Sequence, residues 1–70
     1  MHPQTEKILG YFKHDHLPEP LYSAAAAFSD LAYAIATQTS GPETQVCLRK
    51  LLEAKDAGVR AMMDEKVAGT

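Results

Sequence analysis

Helical periodicity runs through two long stretches of this chain, and a shorter helix precedes them. Pro3, after His2 and before Gln, Thr, Glu and Lys, suits the first turn of a helix over about 3–12, since proline is tolerated at the first helical position. Gly10 weakens its end. Residues 13–20 carry two prolines and alternating charges and read as a connector that cannot continue the helix. From 21 to 39 the larger apolar residues fall at Leu21, Phe28, Leu31 and Ile35, with Ala24, Ala25 and Ala32 filling the intervening turns. Thr39, Ser40, Gly41, Pro42 and Glu43 then form a break and a restart. Gly41 can take unusual backbone angles, Pro42 suits the first position of a new helix, and Glu43 complements its positive end.

The second long helix is expected over about 42–65, and the tight turn before it makes the two long helices antiparallel. Leu48, Leu52, Val59 and Met63 line one stripe of this helix; Cys47, Leu51, Ala54, Gly58 and Met62 line an adjoining one. A hairpin needs only one stripe per helix for its own packing. The second stripe therefore predicts either contact with another copy of the chain or a cover formed by the short N-terminal helix folding back. The expected fold class is all-α: a short N-terminal helix plus an antiparallel two-helix hairpin in one domain spanning 1–70, assembling into a homo-oligomer. The last four residues, 67–70, are expected to fray.

Size supports self-association. A 70-residue chain buries only about 60% of the surface its unfolded form exposes, so small domains usually need a staple. With one cysteine there is no intramolecular disulfide, and no Cys and His cluster has zinc spacing. Cys47 is expected to be a small core residue in a reducing compartment. The hydrophobic fraction of 46% includes eleven alanines, which favour helix without supplying much burial. No run approaches the roughly 20 apolar residues that cross a bilayer, and no cleavable leader pattern begins the chain. The formal net charge of −2 argues against bulk attraction to DNA, RNA or an anionic membrane, yet leaves room for a local basic patch that binds one small anion.

Several residues are candidates for chemistry. His14, Asp15 and His16 invite a metal reading, but in an extended loop the two imidazoles point to opposite sides and no third ligand is apparent; a ligand-contacting or hydrogen-bonding role is favoured. Arg49, Glu53, Asp56 and Arg60 lie at spacings of four, three and four, which fits an ion-pair ladder. The alternative is that Arg49 and Lys50 donate to phosphates at an interface between protomers. Tyr11 and Phe12 are adjacent aromatics before the loop, usable as core or as flat surfaces on which a base stacks. No nucleophile constellation and no glycine-rich phosphate loop appears, so no catalytic residue and no enzyme activity are expected.

Taken together, Tyr11, Phe12, His14, His16, Leu17 and Pro18, the phrase Phe28, Ser29, Asp30, Leu31, Ala32, and above all Arg49, Lys50, Leu51, Leu52, Glu53, Ala54 resemble the short phage-encoded hairpin proteins of the anti-CBASS and anti-Thoeris sponge group. The resemblance extends over roughly 2–63. In that family the second hairpin helix carries a stretch close to Thr-Lys-Leu-Glu-Glu-Ala, matched here at Lys50, Leu51, Glu53 and Ala54, with Arg49 and Leu52 substituted. The resemblance implies a compact homohexamer in the cytoplasm of an infected bacterium, without a cofactor or a metal. Such a hexamer sequesters cyclic oligonucleotide or cyclic ADP-ribose signals uncleaved, so that antiviral effectors are never switched on. It implies Tyr11, Phe12, His14, His16, Arg49, Lys50 and Glu53 as ligand-contacting positions and no nucleic-acid polymer or membrane as partner. Family members tend to carry basic residues where this chain has Ala25, Ala26 and Ser29, which puts one phosphate clamp in doubt. The alternative function is a small helical module that binds another protein through its open apolar stripe.

Overall fold

Why the chain turns where it does is legible in local chemistry. A computed structural model describes residues 2–68, with side chains to Asp64. Three helices follow one another: α1 over Pro3–Gly10, α2 over Leu21–Gln38 and α3 over Pro42–Ala68. At the start of α1 the His2 Nδ1 accepts a hydrogen bond from the Gln4 amide at 3.0 Å, occupying a donor that the first turn leaves free. The helix ends two residues short of the expected position, and the Tyr11 and Phe12 amides close its last turn onto Ile8 and Leu9 carbonyls at 3.0 Å. Pro20 precedes α2 without a side-chain cap. Ser23 instead donates back to the Glu19 carboxylate.

The hairpin turn is held by threonines. Both the amide and the hydroxyl of Thr39 reach the Ile35 carbonyl, at 3.1 and 2.7 Å, which ends α2. The same hydroxyl lies 2.7 Å from that of Thr44 in the first turn of α3. Gly41 accepts from the Thr44 amide at 3.0 Å, and no residue of the turn has a positive φ, so the turn does not depend on glycine for its backbone angles. Val67 and Ala68, expected to fray, continue α3; Gly69 and Thr70 lie outside the described residues.

Helices α2 and α3 form the hairpin, and α1 folds back across one flank of it. The core is small: Ile8, Leu9 and Phe12 meet Ala32, Ala36 and Leu48, with Phe28, Ile35, Leu51 and Leu52 half-buried around them. Phe12 and Leu48 are the largest side chains with no exposed surface. After Leu21 in its first turn, the buried side of α2 is made of small residues, Ala25, Ser29, Ala32 and Ala36, which let neighbouring helices approach closely. Gln45 donates to the buried hydroxyl of Thr5, tying α3 to α1. Lys55 Nζ donates to the Tyr11 carbonyl at 3.2 Å, a cation on the negative end of α1.

Two expectations are corrected by this packing. Cys47 is exposed rather than part of the core, because the hairpin closes on Leu48 and Thr44 and leaves position 47 to the side. The N-terminal helix does fold back, but it lies against the Gln45 and Leu52 side of α3, not over the stripe of Cys47 and Ala54. Cys47 and Ala54 each follow one of those residues by two positions, hence about 160° around the axis. Both are exposed.

Among the described residues, Gly58 is the one glycine at a close approach. A Cβ there would stand 3.3 Å from Phe28 Cε2 and 3.4 Å from Cζ, tighter than ordinary contact. The half-buried Phe28 ring must shift by a few tenths of an ångström to admit the methyl group, whereas alanine in a helix interior is favoured over glycine by roughly 1 kcal/mol. Gly58→Ala is therefore expected to raise stability by about 0.5 kcal/mol, a rise of a few degrees in the thermal midpoint. A drop on circular-dichroism melting would mean that the ring is fixed in place.

Candidate functional site

Three residues of α1 and the one that caps it, spaced by three, one and three, face α3 across a cleft: Gln4, Lys7, Ile8 and Tyr11. From α3 come Gln45, Arg49 and Leu52, again one helical face. The cleft encloses about 440 Å³ and is open along one side. Ile8 and Leu52 make its apolar part, and the 57% exposed Tyr11 offers a ring at its edge. Lys7 and Arg49 bring two positive charges, and no acidic side chain lines it. A chain whose formal net charge is −2 thus keeps a local cationic site.

Such a wall can do three things for a ligand. The tyrosine ring can stack on a flat base, the guanidinium and ammonium groups can pair with phosphate oxygens, and the amides of Gln4 and Gln45 can meet donors and acceptors at a base edge. Gln45 is positioned for this by its bond to Thr5. Tyr11 is held at its own carbonyl by Lys55, whose side chain is mostly buried.

A second, larger cleft of about 560 Å³ lies at the hairpin turn. It is lined by His2 and by the hydroxyls of Thr5, Thr37, Thr39, Ser40 and Thr44, and carries no lysine, arginine or carboxylate. Without a cation it has little to offer a phosphate, and we favour the smaller cleft on chemical grounds.

The positions singled out from sequence separate in space. Tyr11 and Arg49 share the cationic cleft. Phe12 does not join them: its ring is fully enclosed in the core and presents no face to a ligand, which corrects the stacking role expected for it. His14 is half-buried, donates from Nδ1 to the Phe12 carbonyl at 3.2 Å and sets its ring edge-on to Tyr22 at a centroid distance of 4.8 Å. That makes it a fastener of the loop. His16 is exposed in the loop, and Lys50 and Glu53 are exposed on α3 outside the residues that line the cleft.

The ion-pair ladder is also absent. Among the described residues no pair within Arg49, Glu53, Asp56 and Arg60 comes within 4.0 Å; Asp56 lies instead 3.4 Å from Lys55. This leaves Arg49 free of a carboxylate partner and available to an anion. Sequence reasoning missed Lys7, Gln4 and Gln45. The signal was there in the register of α1, where Lys7 stands one turn before Tyr11 on the same face.

Among the described residues no group of three or more His, Cys, Asp or Glu side chains is placed to hold a metal ion. No helix among them is long and apolar enough to cross a membrane. No family model matches the chain, and no curated protein or solved structure is significantly similar to it.

Proposed function

We propose that this protein is a non-enzymatic sponge that binds cyclic nucleotide immune signals and withholds them from host antiviral effectors in the cytoplasm of a phage-infected bacterium. The ligands are cyclic dinucleotides, cyclic trinucleotides or cyclic ADP-ribose isomers. One observation carries the reading: Tyr11, Lys7 and Arg49 line a single cleft, so that a ring for a base and two cations for phosphates converge without any carboxylate to repel them. The cleft is open on one side. A homo-oligomer, a hexamer by the resemblance described above, would close such clefts with neighbouring protomers and raise their affinity by excluding water.

The test is depletion followed by release. Protein incubated with each cyclic nucleotide and filtered should remove it from the filtrate, and heat denaturation should return it chemically intact. Linear or hydrolysed products after release would replace the sponge with an enzyme. A rise of the thermal midpoint with one class of nucleotide identifies the signal, because ligand that binds only the folded state stabilises it by mass action.

A second reading is favoured by the uncovered apolar stripe of Ala54 and by the half-exposed Leu31. In it the chain is a helical interaction module for another protein. Light scattering that gives a monomer or a dimer, with no nucleotide shifting the melt, would select this reading.

A further inference from the structure

The cleft at the hairpin turn offers a phosphate little, but its hydrogen-bonding groups are neutral, close together and of definite direction. A threonine hydroxyl has one proton to give and two lone pairs. The Thr39 hydroxyl gives its proton to the Ile35 carbonyl at 2.7 Å, so in its contact with Thr44, also 2.7 Å, the proton is Thr44's. Thr37 directs its own at the carbonyls of Tyr33 and Ala34, at 2.9 and 3.2 Å. Three hydroxyl oxygens of the lining are therefore left as acceptors. One donor stands at the same cleft. His2 Nδ1 accepts from the Gln4 amide, so the neutral His2 ring carries its proton on Nε2. Ala36 and Pro42 add apolar surface.

Neither kind of ion suits such a lining. An anion would bring lone pairs to lone pairs, and much of the first-turn amide set that could serve it is engaged or missing. Gln4 and Glu6 donate to His2, Thr44 donates to Gly41, and Pro3 and Pro42 have no N–H. A cation would meet the positive ends of α1 and α3, which both begin here, and no carboxylate. Neighbouring alcohol groups differ from both, because each can donate to an acceptor and accept from a donor. A sugar ring, with hydroxyls on its edge and C–H groups on its face, is the neutral group that meets every part of this lining.

The turn cleft and the cationic cleft are also continuous. Gln45 lines both, and its side-chain amide donates to Thr5 of the turn cleft. Along α3 the turn cleft runs from Gly41 to Gln45 and the cationic cleft from Gln45 to Leu52, so one follows the other. Thr44 and Arg49 are separated by about 7.5 Å of helix rise, the reach of a phosphate together with its own sugar. We infer that the turn cleft is the sugar-binding end of the capture site, holding a ribose by its free hydroxyls while the attached phosphate lies against Lys7 and Arg49. The inference rests on the capture reading and specifies it: the ligand is recognised as a ribonucleotide, through the 2′-hydroxyl that a deoxyribonucleotide lacks.

Calorimetric titration of the full chain with cyclic di-AMP, cyclic tri-AMP and cyclic ADP-ribose, each beside its 2′-deoxy analogue, tests this. For every one that binds, wild type should hold the ribose form about 2- to 12-fold more tightly, the range of one neutral hydrogen bond. Thr37→Val keeps the branched shape at an exposed position and removes the hydroxyl, and should bring the two forms to within a factor of about two. Thr37→Ser should restore the preference. Adenosine, which has no phosphate, gives a second measurement: it should move the NMR methyl signals of Thr37 and Thr44, and 2′-deoxyadenosine should move them less. Equal affinity for ribose and deoxyribose forms, or a preference that Thr37→Val leaves unchanged, would overturn the inference while capture stands. Adenosine that moves those methyl signals in a protein that binds no cyclic nucleotide would remove the capture reading and keep the sugar cleft. Silence in both experiments would end both.

Discussion

Phe12→Ala is expected to lower the thermal midpoint by roughly 12–40 °C. The ring has no exposed surface and joins the end of α1 to Ala32, Ala36 and Leu48 of the hairpin. Truncating a buried phenylalanine costs about 3–5 kcal/mol, because the lost transfer free energy is compounded by the cavity left behind. A domain of this size has about 4–10 kcal/mol in total, so much of the population unfolds. Phe12→Leu keeps most of the volume and should cost only about 1 kcal/mol. Circular-dichroism melts at equal protomer concentration decide it, equal because assembly feeds into apparent stability. If Phe12 were instead a stacking surface for a base, Phe12→Ala would leave the midpoint unchanged and Phe12→Leu would abolish nucleotide binding.

That substitution also marks the limit of what the sequence could reveal. Adjacent aromatics at a helix end look alike whether they face a ligand or a core, and here they split. Tyr11 caps α1 and stays 57% exposed, while Phe12 turns inward. Nothing local distinguishes them, since the difference is made by where α1 lies on the hairpin. The all-helical architecture was legible because its signals are local: Pro3 and Pro42 at helix starts, alanine-rich α2, and a Gly-Pro break between long periodic stretches. Cys47 was misread for the opposite reason. A small apolar residue on a wide apolar stripe is core only if something packs on that part of the stripe, and the covering helix went to the other flank.

The same distinction governs the charged residues of α3. Spacing of four between Arg49 and Glu53 permits an ion pair but does not compel one, since an exposed pair contributes only about 0.2–1 kcal/mol against the entropy of two long side chains. Among the described residues Arg49 takes no carboxylate, and a second cation, Lys7, approaches from α1, forty-two residues away in sequence. Tertiary structure therefore converts what reads as a solvated helix face into one wall of a cationic cleft. Lys50, beside Arg49 in the chain, is turned about 100° from it around the helix and does not line that wall.

Reversing both charges of the cleft, Lys7→Glu with Arg49→Glu, is accordingly expected to weaken nucleotide capture by about a hundredfold to ten-thousandfold. Each lost contact is a hydrogen bond between charged groups worth roughly 1.5–3 kcal/mol, and the new carboxylates add repulsion. Tyr11→Ala should cost less, about 5- to 150-fold, the range of one stacked base. Lys7 and Arg49 are exposed, so the doubly reversed protein should melt within a few degrees of wild type, which separates lost binding from lost fold. Wild-type affinity should fall as salt rises, and the reversed protein should show little such slope. Lys50→Glu provides the decisive contrast, because the resemblance to the sponge family names Lys50 whereas the cleft excludes it. Calorimetric titration in which Lys50→Glu abolishes binding and Lys7→Glu with Arg49→Glu does not would move the ligand to the outer face of α3 and remove the cleft from the mechanism.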